Sequence, residues 1–273
     1  MANTLENWLR AAPLPLPEAR ILLQHCTGLS RAQLLTRGRD ALGGDNEAAL
    51  AALVQRRLAG EPMAYIVGVR EFYGRTFIVN DAVLIPRPET EHLVEAALAR
   101  LPPQGRLWDL GTGSGAVAVT VALERPDVHV RASDISADAL AVAARNAASL
   151  GAKLEFAQGS WFAVDRPSEA QAYDVVVSNP PYIEAGDVHL QQGDLRFEPQ
   201  QALTDFSDGL SCLRALAEGA PHVLKAGGWL LLEHGYNQGE AARALLVQHD
   251  FVEVATLPDL AGLDRITLGR KPA

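Results

Sequence analysis

With 273 residues, 48% hydrophobic and 21% charged, the chain has the composition of a globular protein built as one large domain, or an ordinary domain plus a smaller one. No apolar run approaches the ~20 residues needed to span a bilayer, and the opening MANTLENWLRAAPLPLPEAR, with its early acid, predicts no secretory signal. The net charge of −9 divides unevenly: eight Arg against six acids give residues 1–70 a charge of +2, leaving −11 on 71–273, which weighs against nucleic acid as the main substrate.

In chain order, residues 1–66 read as short helices. Leu5, Trp8 and Leu9 share a face, and Ile21, Leu22 and Leu23 follow Pro17. Asp45 is the expected cap of a helix through Leu58, with Leu50, Leu53 and Leu58 apolar. Cys26 in this stretch and Cys212 far beyond it form no CxxC pattern, which predicts a reducing, cytoplasmic setting and no metal. Nothing in the helical segment carries chemistry, so partner recognition is its expected role.

Residues 71–86, EFYGRTFIVNDAVLIP, predict two strands around an Asn80-Asp81 turn, and the domain connection is placed there, giving domains 1–74 and 75–273. PRPETEHLVEAALARL then starts a helix with Pro and acids in its first turn. From residue 106 strands alternate with helices. Strands are expected at Arg106–Leu110, Val128–Ser133, Lys153–Ala157, Asp174–Ser178 and Trp229–Glu233, and the clearest helix is Ser136–Leu150 with Ser136 as its cap. Such alternation implies a parallel, doubly wound α/β sheet. FVEVATL and RITLGRK around a PDLAGLD loop predict an antiparallel pair at its edge.

The first strand runs into DLGTGSG (109–115) and then the helix AVAVTVALE. Ligands of such sheets bind at the carboxyl ends of the strands, and glycines there let the backbone approach a cofactor. Asp134, 19 residues after Gly115, stands where a carboxylate can accept from both hydroxyls of a ribose. Gly111, Gly113 and Ala116 also satisfy the dinucleotide pattern, so an NAD enzyme is a competing reading. Asp109 discriminates: its carboxylate would repel a pyrophosphate on the loop but suits an ammonium, as at the methionine end of S-adenosylmethionine. After the third strand, GSWF puts Trp161 and Phe162 where an aromatic can border an adenine.

The fourth strand ends in S-N-P-P-Y-I (178–183). Asn179 offers a side-chain acceptor and Pro180 a main-chain carbonyl held extended by Pro181, and neither proline has an N–H. This stiff, acceptor-rich stretch suits a planar NH2 group with two donors, with the Tyr182 ring as a packing surface. A delocalised nitrogen is a poor nucleophile, so orienting its lone pair at an activated methyl is the main task of such a site. The seven His show no metal or protease spacing, and no G-x-S-x-G supports a serine hydrolase.

DLGTGSG, ASDIS, GSWF and NPPYI together resemble the class I S-adenosylmethionine-dependent methyltransferases that modify planar nitrogens. GVREFYG (68–74), LIPRPETE (84–91), HLQQGDLRFEP (189–199) and LLLEHG (230–235) resemble the release factor glutamine methyltransferases, the PrmC/HemK family. The resemblance implies a seven-stranded, mostly parallel, Rossmann-like methyltransferase domain behind a small all-α substrate-recognition domain. It implies transfer of methyl from S-adenosylmethionine, leaving S-adenosylhomocysteine, to the glutamine amide in the Gly-Gly-Gln motif of bacterial peptide chain release factors, by a cytoplasmic monomer. Gly111, Thr112, Gly113, Ser114, Gly115 and Asp134 would bind the cofactor, with Trp161 beside the adenine. Asn179 would border cofactor and substrate, and Asn179, Pro180, Pro181 and Tyr182 would hold the glutamine amide. Arg87, Glu89 and Thr90 match the segment near the site without individual roles. NPPY is shared with DNA adenine methyltransferases, opposed here by the charge, and relatives acting on ribosomal protein L3 share the same core.

Overall fold

The computed structural model describes residues 3–164 and 172–273, and the chain falls into two compact units, one ending at Gly68 and the other running from Val69 to Ala273. The first contains helices α1 (Leu5–Ala11), α2 (Leu16–Thr27), α3 (Arg31–Thr36), α4 (Gly44–Leu58) and α5 (Met63–Val67). Thr4 caps α1 by accepting from Asn7 N, and Ser30 with Gln33 forms a reciprocal capping box on α3. Leu5, Leu22, Leu23, Leu34, Leu50 and Val54 bury one core, whereas Ile21 and Leu58 are exposed. The cap of α4 is not Asp45. The helix begins after Gly43, whose φ of 83° suits glycine, and Asp45 lies in the first turn, where its charge complements the helix dipole.

The second unit opens with a hairpin, β1 (Val69–Phe72) and β2 (Arg75–Ile78), paired from Val69↔Ile78 to Phe72↔Arg75. Its turn is Tyr73-Gly74, with φ of 52° and 71°, a geometry that matches strand twist. The expected hairpin turn at Asn80-Asp81 is therefore corrected: Asn80 Oδ1 accepts from Ala82 N at 3.2 Å and shapes a local turn in the loop after β2. The unit begins before the hairpin, while the boundary expected after residue 74 falls at its turn.

There follow α6 (Glu91–Leu98), β3 (Arg106–Leu110), α7 (Ala116–Glu124), β4 (His129–Asp134), α8 (Ala137–Leu150), β5 (Glu155–Gln158) and β6 (Tyr173–Ser178). After these come α9 (Gln200–Leu203), α10 (Ser211–Gly219), β7 (Leu224–Glu233), α11 (Gly239–Gln248), β8 (Val252–Pro258) and β9 (Asp264–Arg270). The seven-stranded sheet has the order β5-β4-β3-β6-β7-β9-β8, parallel except for β9, which runs antiparallel to both neighbours. Alternate residues of β3 serve opposite cores. Leu107 joins Leu93, Val119 and Val175, and Trp108 joins Tyr173, Leu213 and Leu216. Ser136 caps α8 by accepting from Ala139 N at 3.1 Å. The chain winds from β3 outward to β5 and then returns to β6 on the other side of β3. The resulting switch point opens a crevice at the carboxyl ends of β3 and β6.

Candidate active site

A cavity of about 310 Å³ fills that crevice. One wall is the turn between β3 and α7. Gly111, Gly113 and Gly115 have φ of 72°, 56° and 80°, values that favour glycine. Gly111, Thr112, Gly113 and Ser114 line the cavity. Gly115 does not: a Cβ there would meet Ala143 Cβ at 3.1 Å and Val119 Cγ2 at 3.2 Å, so its lack of a side chain lets α7 approach α8.

The loop's N–H groups are largely committed. Gly111 and Thr112 donate to Ser133 O at 2.9 and 3.0 Å, Gly113 to Asp134 Oδ2 at 2.9 Å, and Gly115 to Thr112 O at 2.8 Å. A pyrophosphate site needs such donors free, so this loop is not built as a phosphate cradle. Asp109 reinforces that conclusion. It is buried, lines the cavity, and accepts from Thr112 Oγ1 at 2.7 Å and Ala118 N at 3.3 Å. Burial pushes its pKa up to about 7, with those two bonds pulling down and the Asp134 charge adding to the rise. The Asp109 carboxylate thus sits where a ligand cation would be welcome.

Asp134 ends β4 on the same wall. Burial raises its pKa against the bonds it accepts from Ser136 N and Gly113 N. Oδ2 accepts from Gly113 N and Oδ1 from Ser136 N, and a carboxylate has acceptor capacity beyond these for a ligand's hydroxyls. Trp161 lines the cavity with φ of 45°, its ring 3.4 Å from where a Gly111 Cβ would stand. Its neighbour Phe162 turns instead into the core, edge-on to Trp108 at 5.9 Å.

The opposite wall is the end of β6. Ser178 Oγ donates to Leu110 O at 2.7 Å, tying the β3 and β6 ends together. Asn179 and Pro181 line the cavity; Pro180 is buried, and neither it nor Tyr182 belongs to the wall. Gln238 Nε2 holds the Tyr182 carbonyl at 2.9 Å, and burial, with the charge of Glu233, pushes the Tyr182 phenol up to about 12. Asn179 Nδ2 donates to Thr90 Oγ1 at 3.2 Å, so Oδ1 is the amide's remaining acceptor. Arg87 and Thr90 line the cavity, and Glu89 does not. Buried Glu198 fixes this segment by pairing with Arg87 and accepting from Ile85 N at 3.0 Å.

Several wall residues were not legible as such in the sequence, among them Ile135, Asp205, Phe206 and Cys212. Asp205 accepts from Ser207 N, Gly209 N and Ser211 N at 2.8 to 3.0 Å and from Ser211 Oγ at 2.6 Å. The D-x-S-x-G-x-S pattern is the only signal of this hub. Beside it Phe206, φ 56° and 65% exposed, stands at the cavity mouth. Among the described residues no His/Cys/Asp/Glu cluster could hold a metal ion, and no helix is long and apolar enough to cross a membrane.

Both units of the chain resemble known proteins. Residues 3–68 match the family described as PrmC N-terminal domain, and residues 89–197 match the methyltransferase small domain. A release factor glutamine methyltransferase of Neisseria gonorrhoeae is 66% identical over 98% of this chain and 97% of its own. Those of Bordetella pertussis and Escherichia coli are 52% and 44% identical, each over 97% of this chain and 98% of theirs. In fold, a methyltransferase from Pyrococcus furiosus, 16% identical, superposes with a TM-score of 0.56 over 85% of this chain and 100% of its own. With a matching model for each unit and relatives this similar along almost their whole length, the chain belongs to the release factor glutamine methyltransferase family.

Proposed function

We propose that this methyltransferase modifies the side-chain amide nitrogen of the glutamine in the Gly-Gly-Gln motif of bacterial peptide chain release factors, with S-adenosylmethionine as donor and S-adenosylhomocysteine as product. The observation that carries the reading is one cavity shared by Asp109, Asp134 and Trp161 on one wall and by Asn179, with its acceptor Oδ1, on the other. The donor set fits the cofactor: Asp109 would hold the ammonium, Asp134 the ribose hydroxyls and Trp161 the adenine, with Gly111 to Ser114 beneath. A 16S rRNA N2 G1207 methyltransferase of Thermus thermophilus, 19% identical with a TM-score of 0.53 over 74% of this chain and 49% of its own, has been solved with AdoMet and guanosine. Its likeness supports the fold alone.

Bound, the cofactor supplies a sulfonium methyl, whose carbon–sulfur pair stays with sulfur as the amide nitrogen's lone pair makes the new carbon–nitrogen bond. The chain's residues supply position. Asn179 Oδ1 and the Pro180 carbonyl would accept the two amide N–H bonds and turn the lone pair toward the methyl carbon. Tyr182 and Pro181 would hold the amide plane. The alkylated nitrogen is acidic and gives its surplus proton to water, so no dedicated base is needed. The helical unit, which ends at Gly68, would recognise the release factor, and the enzyme would work as a cytoplasmic monomer.

The test is transfer of labelled methyl from S-adenosylmethionine to a release factor, to the same factor with Gln→Glu in its Gly-Gly-Gln motif, and to duplex DNA. Label on the unmodified factor alone is the expected result. Label on DNA would transfer the same planar-nitrogen chemistry to adenine. In a second arm, Asn179→Ala lowers turnover at least about 100-fold while cofactor still binds.

A further inference from the structure

The chemistry above gives Glu233 no task, yet its placement is costly. It ends β7 one step beyond the Ser178↔Leu232 pair, which puts it beside Asn179 at the end of the neighbouring strand. It is 1% exposed, and its Oε2 makes no hydrogen bond. A charged carboxylate buried without a partner costs several kcal/mol, a cost that pairing, hydrogen bonds or protonation must offset. Glu233 is not in the cavity wall, so it does not touch a substrate there.

Its surroundings come from three segments, the turn before α6, β9 and the end of β6. Burial raises its pKa to about 7; the Thr90 hydroxyl pulls it down, followed by Arg265 of β9; Glu89 pushes it up, and the Asn179 amide pulls it down last. Tyr182, after β6, also feels its charge. Arg265 gives one terminal nitrogen to Asp259 at 3.1 Å, and its buried Nε has no hydrogen-bond partner among the described residues. Thr90 and Asn179 are the uncharged groups that favour the carboxylate's charged form, although neither bonds Oε2.

Direction follows from donor chemistry. Asn179 Nδ2 donates to Thr90 Oγ1. A hydroxyl that accepts there keeps its own proton to give, and above about pH 7, where Glu233 is ionised, its carboxylate can only accept. The polarity of the chain is then Asn179 to Thr90 to Glu233. It matters because an asparagine amide fits almost equally well turned over, with O and N exchanged; only its hydrogen bonds choose between the two. Turned over, Asn179 would present N–H donors to a substrate NH2, donor against donor.

We propose that Glu233, acting through Thr90, is the positioning residue that fixes the facing of the Asn179 amide, so that Oδ1 is presented to the acceptor nitrogen. The assignment rests on the glutamine-amide reading of the site and adds the group that orients its key acceptor. Glu233 is not the base of the reaction. It sets the geometry on which turnover depends and leaves cofactor binding alone.

The test uses the full chain, a release factor and labelled cofactor, with T90V, T90S, E233Q and T90V/E233Q beside the wild type. T90V and E233Q each lower kcat by about 10- to 100-fold, with cofactor Kd unchanged within about twofold. T90S, which restores the hydroxyl, recovers most of the rate. Because the two residues form one chain, the double variant is no slower than the worse single one. Wild-type turnover in T90V or E233Q, losses that multiply in the double variant, or a kcat loss matched by lost cofactor binding would each overturn the assignment. A wild-type protein that labels no release factor would overturn the substrate reading, and this proposal with it.

Discussion

Asp109 is the buried carboxylate that, in our reading, meets the cofactor's ammonium in the crevice. It is held by Thr112 Oγ1 and Ala118 N, buried, and titrates near 7 without a ligand. At pH 6 most of the ligand-free protein carries a proton there, and a ligand ammonium must displace it. In our reading, cofactor affinity therefore strengthens as pH rises from 6 to 8, by up to about tenfold per unit below pH 7. Titration calorimetry in buffers of different ionisation enthalpy should show proton release on binding near pH 6.5. Asp109→Asn removes both the charge and the titration, so binding becomes weaker at pH 8 and flat with pH. A wild-type affinity independent of pH would mean that no ammonium meets this carboxylate.

The glycines of the β3–α7 turn look alike in DLGTGSG, but the elements around them assign different tasks. Gly113 has open space where a Cβ would stand, so Gly113→Ala carries only the left-handed backbone cost of about 1–2 kcal/mol. Gly115→Ala adds a clash with Ala143 on α8, including its Cα at 3.3 Å, and must push the buried faces of α7 and α8 apart. We expect Gly115→Ala to lose about 2–4 kcal/mol in urea denaturation and Gly113→Ala to show its main effect in cofactor binding. Equal stabilities for the two would contradict this division. Strand β3 was legible to the residue, because an apolar run ends in Asp-Leu-Gly, and the Ser136 cap was legible for the same local reason. The β1–β2 hairpin was misread because two turn signals compete. Tyr73-Gly74 supplies the paired positive φ that a hairpin needs, and Asn80 makes only a local side-chain turn. Asn146 was invisible in an Ala-rich helix. It is fully buried and bonds both Ile78 N and Ile78 O as well as Ser114 O, stitching β2 and the glycine loop to α8. Likewise Glu233 comes to stand beside Asn179 through strand register across the sheet, which no local pattern encodes.

At the scale of the whole molecule, the buried acids in and behind the crevice wall tie stability to pH in a direction opposite to that of ordinary paired carboxylates. Asp109 and Glu233 titrate near 7 in the folded chain, and burial also raises Asp134. Unfolded carboxylates titrate near 4. A raised acid keeps its proton in the folded state where the unfolded state has lost it, so its contribution is complete below about pH 4 and is lost as pH rises through 7. Asp205 and Asp259 run the other way. Against the burial that would raise it, Asp205 is pulled down by Ser211, Ser207 and Gly209; Asp259 is pulled down first by Leu263 N. Their contribution is present above pH 4 and is lost on acidification, so it does not change between pH 5 and 8. Over that range buried His234, whose pKa burial lowers from its ordinary 6.5, works against the raised acids, but Asp109 and Glu233 together outweigh one imidazole. The ligand-free protein should lose stability from pH 5 to 8, with Asp109 and Glu233 each contributing at most about 2–3 kcal/mol. Urea midpoints measured at half-unit intervals would fall toward pH 8 in the wild type and flatten in the Asp109→Asn/Glu233→Gln double variant. Saturating cofactor should restore some of the loss at pH 8, because a cation beside Asp109 removes the penalty on its charged form. A wild-type midpoint that climbs toward pH 8 without ligand would show that these carboxylates are ionised and compensated in the folded chain, and the crevice would then have no charge left for a cationic cofactor to answer.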